Sequence, residues 1–153
     1  MGYYDKKSWW FKRNQQNIPP SAQQDIAIGN YDAYYLGDTQ KKTIYLTFDE
    51  GYENGYSEKI LDILKEYDVK AAFFVTKSYI RDNPELIKRM VAEGHIVGNH
   101  TVTHPDMTKL TSEQIAKEIQ ECATYFKEVT GKDMPHFFRP PEGVYSIHSL
   151  EQT

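Results

Sequence analysis

Thr43-Ile-Tyr-Leu-Thr-Phe-Asp-Glu-Gly51 decides how this chain is read. Residues 43–48 are β-branched and aromatic, the composition of a strand, and two acids and a glycine close the run. Downstream, a helix is expected over 57–67, with Ser57 as N-cap and Ile60, Leu61 and Leu64 facing inward. The apolar run 71–76 then reads as a strand covered on both faces.

The pattern repeats. Asn83 caps a second helix, Pro84 takes its first position and Gly94 ends it, with Leu86, Ile87, Met90 and Val91 as the core stripe. Residues 95–99 form a third strand. A capping box, Thr111-x-x-Gln114, opens a third helix that ends at Gly131 and carries Ile115, Ile119, Cys122, Phe126 and Val129 at helical spacing. Residues 136–139 make a fourth strand. This strand–helix alternation predicts an α/β fold with a parallel sheet and right-handed crossovers. Ligands of such folds bind at the carboxyl ends of the strands, where Asp49, Glu50, His100, His104 and Arg139 all fall.

Upstream, residues 1–42 show no steady period and include Pro19-Pro20, so they read as an irregular arm wrapping the domain. Trp9-Trp10-Phe11 within it is read as packing on the domain's own surface, ahead of gripping sugar or membrane. The chain has 153 residues and a net charge of −4 without a basic stripe, which fits one soluble domain and argues against a nucleic-acid partner. No apolar stretch approaches the roughly 18–20 residues that cross a bilayer. The N-terminus lacks the apolar core of a signal peptide, so the chain is either cytosolic or parted from its export signal. The lone cysteine, Cys122, excludes an intrachain disulfide and lies on a helix's apolar face, as a structural thiol does.

Two carboxylates and a His-x-x-x-His pair at strand ends are the makings of a divalent-metal hydrolase site. Thr101-Val102-Thr103 and Pro105 make the histidine segment a loop, and no glutamate sits between the histidines, which excludes the His-Glu-x-x-His protease mechanism. Adjacent carboxylates on an extended backbone point opposite ways, so one faces the metal and the other the attacking water; either Asp49 or Glu50 is the base. In Arg139-Pro-Pro-Glu-Gly143, two prolines fix the backbone and thin out its N–H groups, leaving few and firmly placed donors for an oxyanion. Arg139 is placed to pair with a carboxylate and orient it. His95 is read as a strand-edge residue, and His136 and His148 have no evident partner.

Thr47-Phe-Asp-Glu-Gly51, His100-Thr-Val-Thr-His104 and Arg139-Pro-Pro-Glu-Gly143 resemble, in order, the first three motifs of the polysaccharide deacetylases, the carbohydrate esterase family 4 or NodB-homology domain. Tyr34-Tyr-Leu-Gly-Asp38 and Gly51-Tyr-Glu-Asn-Gly-Tyr56 resemble more closely the delta-lactam-biosynthetic branch, which acts on N-acetylmuramic acid of spore-cortex peptidoglycan.

The resemblance implies a partial, deformed (β/α) barrel, with residues 43–153 as the N-terminal part of the domain. It makes Asp49 the catalytic base, Arg139 its orienting partner and the backbone N–H of Glu142 an oxyanion donor. His100, His104 and Glu50 become ligands of a divalent metal, zinc foremost, with cobalt, manganese or nickel as alternatives. Glu50 departs from the family's usual Asp by one methylene.

The implied reaction removes N-acetyl groups from peptidoglycan amino sugars by hydrolysis of a linear amide. The implied setting is a secreted, envelope- or spore-associated parent protein. Alternatives are a non-catalytic glycan-binding remnant and an esterase acting on O-acetyl xylan or another carbohydrate. The family continues with an Asp-Trp-containing motif and a Leu-x-x-His motif whose histidine protonates the leaving amine, and neither stands in this chain. The 153-residue piece is therefore expected to bind metal, to be weak or inactive alone, and to expose a sheet edge through which copies associate.

Overall fold

The computed structural model describes residues 2–16, 18–22 and 26–153. The arm is not wholly irregular. It carries β1 (Lys7–Ser8), β2 (Phe11–Lys12) and β3 (Ser21–Ala22), of which β2 and β3 pair antiparallel, followed by a 3-10 turn at Ile28–Tyr31.

The main sheet is parallel, ordered β4 (Thr47–Glu50), β5 (Ala72–Val75), β6 (Ile96–Asn99). The first strand thus lies downstream of the expected 43–48. A strand extends only as far as its neighbour pairs with it, and β5 begins at Ala72, opposite Thr47. Ile44, Tyr45 and Leu46 are left exposed, and the acid pair sits inside the strand.

Between strands run α1 (Ser57–Glu66), α2 (Lys77–Asp82) and α3 (Pro84–Ala92), followed after β6 by α4 (Ser112–Thr130). The capping box on α4 forms as expected, and Gly131 closes the helix at φ +71, a left-handed position that glycine adopts without a Cβ clash. Two caps differ from expectation. Ser57 is the first residue of α1, and its hydroxyl lies 2.9 Å from the Tyr79 hydroxyl. Asn83 does not bond the start of α3; its side chain donates to the Tyr79 carbonyl and closes α2, the helix that sequence reading missed.

Glu53 supplies the cap that Ser57 does not. Its Oε1 accepts from the backbone N–H groups of Gly55, Tyr56 and Ser57, and its Oε2 accepts from the Tyr79 hydroxyl at 2.9 Å. Burial opposes its charge, but hydrogen bonds from Ser57, Tyr79 and Gly55 outweigh it and bring the carboxyl down to about 2. A folded pKa below the ordinary 4.5 gives stability that is complete above pH 4.5 and is lost as pH falls towards about 2. Glu53→Gln should therefore be less stable than the parent at pH 7 and show a shallower acid-unfolding slope through that window. Parallel stability–pH curves would refute this role.

The core fills the space between β5 and the helices, with Leu61, Phe73, Val75, Ile80, Ile87, Val97, Cys122 and Phe126 at its centre. Cys122 donates to the Val75 carbonyl at 3.6 Å, and burial pushes its thiol up to about 12, so it is structural and not a nucleophile at neutral pH. His95 is buried, not at an edge: its Nδ1 accepts from Ala71 N–H and its ring meets Phe73 edge-on.

The fourth strand shrinks to a single parallel bridge, Asn99 to Phe138. Asn99 N–H donates to the Phe137 carbonyl at 2.7 Å, and Arg139 N–H donates to the Asn99 carbonyl at 3.1 Å. Gly98 permits this approach, since a Cβ there would stand 2.9 Å from both the Phe137 carbonyl oxygen and the Phe74 ring. After a 3-10 turn at Pro141–Gly143 come β7 (Val144–Tyr145), antiparallel to β1, and α5 (Ile147–Glu151), capped by Ser146. His148 on α5 is buried beside Tyr3 and Tyr4, with Nε2 3.1 Å from the Ser112 hydroxyl. That contact gives it the partner its sequence context did not show.

Candidate active site

The carboxyl ends of β4 and β6 open on a cavity of about 680 Å³ whose lining includes Asp49, His100, His104, Arg139 and Glu142. Five of the six residues singled out from sequence thus share one space. Asp49 leaves β4 towards Arg139, whose Nη1 donates to its Oδ1 at 2.6 Å. The contact is one bond, not a bidentate fork. With side chains 33% and 45% exposed, the pair adds little stability, and its value is positional. Arg139 is held from below by the Phe74 ring, 4.2 Å from its Cζ.

The histidine segment is a loop, as its sequence implies. Thr101 and His104 adopt φ of +76 and +57, conformations costly for non-glycine residues, so the surroundings must hold them. Three side chains do so. Asn99 Oδ1 accepts from Thr101 N–H, and the Thr101 hydroxyl accepts from His104 N–H. Glu118, reaching across from α4, accepts from Val102 N–H, Thr103 N–H and the Thr103 hydroxyl, all within 2.9 Å. The two imidazoles end 4.9 Å apart, nearly perpendicular.

His100 Nδ1 lies 2.8 Å from the Arg139 carbonyl, which can only accept, so Nδ1 carries the proton and Nε2 keeps its lone pair. Burial lowers the pKa of His100 further, despite the opposing carbonyl bond and the nearby Asp49 charge, and the ring is neutral at pH 7. A neutral imidazole anchored through its far nitrogen is the usual form of a metal-binding histidine. The histidine pair therefore fits a divalent cation.

Glu50 does not join it. Neighbouring residues of a strand face opposite sides, and Glu50 does not line the cavity. Burial first, then the charges of Glu53 and Asp49, raise its carboxyl to about 7. Among the described residues, no three His, Cys, Asp or Glu side chains stand together closely enough to hold a metal. Glu142 sits at φ +58 in the cavity wall, a strained turn residue between Pro141 and Gly143. Sequence reading missed Glu118 and Glu53; the arm's Trp9, read there as packing on the domain's own surface, also lines the cavity.

The polysaccharide deacetylase family profile matches residues 36–153. The chain belongs to that family. It is 49% identical over 148 residues to the Bacillus subtilis peptidoglycan-N-acetylmuramic acid deacetylase PdaA, covering 95% of this chain and 56% of that protein. The chain thus spans a little over half the length of two curated relatives that it matches, at 54% and 56%. The solved structure of Bacillus subtilis PdaA, a family 4 carbohydrate esterase, superposes with a TM-score of 0.93 at 47% identity, over 97% of this chain and 64% of that one. A family 4 carbohydrate esterase from Bacillus anthracis gives 0.86 at 43% identity, over 100% of this chain and 70% of that chain. The parallel sheet with its covering helices is accordingly part of the deacetylase (β/α) barrel.

Glu118 holds the only side-chain grip on the Val102 and Thr103 amides among the described residues. Glu118→Ala should lower affinity for zinc about tenfold, as loss of supporting contacts around ligands does. Chelator competition monitored by elemental analysis measures it. An unchanged zinc affinity would show that the loop holds its shape without that carboxylate.

Proposed function

We propose that the protein takes part in hydrolysing N-acetyl groups on peptidoglycan amino sugars, N-acetylmuramic acid foremost, giving a free amine and acetate. The observation that carries this reading is Asp49, held by Arg139, facing the same cavity as the anchored histidine pair. In this reading Asp49 takes the proton from the attacking water, and Arg139 keeps its carboxylate aimed. The Glu142 N–H donates to the oxyanion that forms as the amide carbon becomes tetrahedral. His100 and His104 would hold a divalent ion, with zinc the first candidate, and the remaining positions fall to water and substrate. When bound, such an ion makes water more acidic and polarises the acetyl oxygen.

The curated relative acts on peptidoglycan by its name, which favours a cell-wall setting for this chain. No helix among the described residues is long and apolar enough to cross a membrane. The test is acetate release from N-acetylmuramic-acid-containing glycan strands, N-acetylglucosamine oligomers and O-acetylated xylan, each with and without added zinc. Zinc-dependent release from muramic-acid strands supports the reading. Release confined to xylan would instead make the chain an ester hydrolase, and glycan binding without any release would make it a binding module.

A further inference from the structure

We propose that Trp9 and Tyr35 form an aromatic wall that holds a pyranose ring of the glycan beside the catalytic groups. The inference rests on the cavity taking an N-acetylated glycan, as proposed above. Both residues precede the stretch that the family profile matches, yet both line the same cavity as Asp49 and the histidines. Their rings stand 4.7 Å apart, tilted at 47°, so together they form an angled surface rather than a flat stack.

Trp9 is fixed there by backbone, not by chance packing. β1 pairs with β7 through Lys7–Tyr145 and Ser8–Val144, and Trp9 N–H donates to the Gly143 carbonyl at 2.7 Å. The Trp9 Cβ lies 3.5 Å from where a side chain would begin at Gly143. The indole is therefore tied to the residue next to Glu142. Trp10, its neighbour in sequence, is 51% exposed and does not line the cavity.

A pyranose ring with equatorial substituents presents its axial C–H bonds as an apolar face. Indole and phenol rings offer such a face broad, rigid contact at little conformational cost. Asp49, His100 and His104 line the same cavity and suit the polar acetamido end. An amino-sugar chain fits both chemistries at once.

The test is calorimetric titration of the 153-residue chain with an oligosaccharide of alternating N-acetylglucosamine and N-acetylmuramic acid. Trp9→Ala and Tyr35→Ala should each bind about tenfold more weakly, the loss of one aromatic contact. Trp9→Phe should recover part of the affinity, and Trp10→Ala should bind within about twofold of the parent. Should circular dichroism show Trp9→Ala unfolded, Tyr35→Ala decides. Parental affinity in Tyr35→Ala and in folded Trp9→Ala overturns the wall while leaving the proposed function standing. Absence of glycan binding by the parent overturns both.

Discussion

Asp49→Asn should lower kcat/KM for N-acetyl hydrolysis by about 10³-fold, the contribution of a positioned general base. Asparagine keeps the size of the side chain and an oxygen for the Arg139 Nη1 contact, now 2.6 Å long, but it cannot take a proton from water. Zinc content, measured in parallel, should stay at the parental level, because Asp49 sits on its own strand and the histidine loop is held by Asn99, Thr101 and Glu118. A variant retaining more than a tenth of parental turnover would remove Asp49 from the chemistry. A variant that loses its zinc along with its activity would make Asp49 a ligand instead.

The second large effect is on stability. Phe73 lies on β5, the middle strand, with no exposed surface, stacked on Phe48 at 4.9 Å and 15° and meeting His95 edge-on. Phe73→Ala removes a ring that no neighbour can replace, because both flanking strands are fixed by ladder bonds. The expected cost is about 4 kcal/mol, from lost transfer energy and the cavity left behind. Urea unfolding at pH 7 measures it. A loss under about 1 kcal/mol would mean that the helices collapse into the space, and that the core is less rigid than its packing implies.

What the sequence made legible follows from how local each signal is. The α4 capping box involves residues three apart and the stripe from Ile115 to Phe126 is periodic, so both were readable. The three motifs at strand ends were also readable, because alternating strands and helices place those ends on one side of a sheet. The start of β4 was not readable, since residues 43–46 have strand composition but the ladder to β5 begins only at Thr47. α2 has six residues, too few for a period to declare itself. Glu53 and Glu118 act through backbone N–H groups, which carry no residue identity, and Glu118 does so from a helix 15 or 16 positions away. For Glu50, motif position suggests a ligand, whereas the side chain is not among those that line the cavity. Trp9 was expected to pack on the domain's own surface, and the pairing of β1 places it in the cavity wall.

Arg139 grips two groups by two different parts of itself: a guanidinium on Asp49 and a main-chain oxygen on His100. Any amino acid at that position would still offer the oxygen, whereas the Asp49 contact needs the reach and charge of the arginine side chain. Substitution at this position would therefore release the Asp49 carboxylate while leaving the His100 ring anchored through its Nδ1.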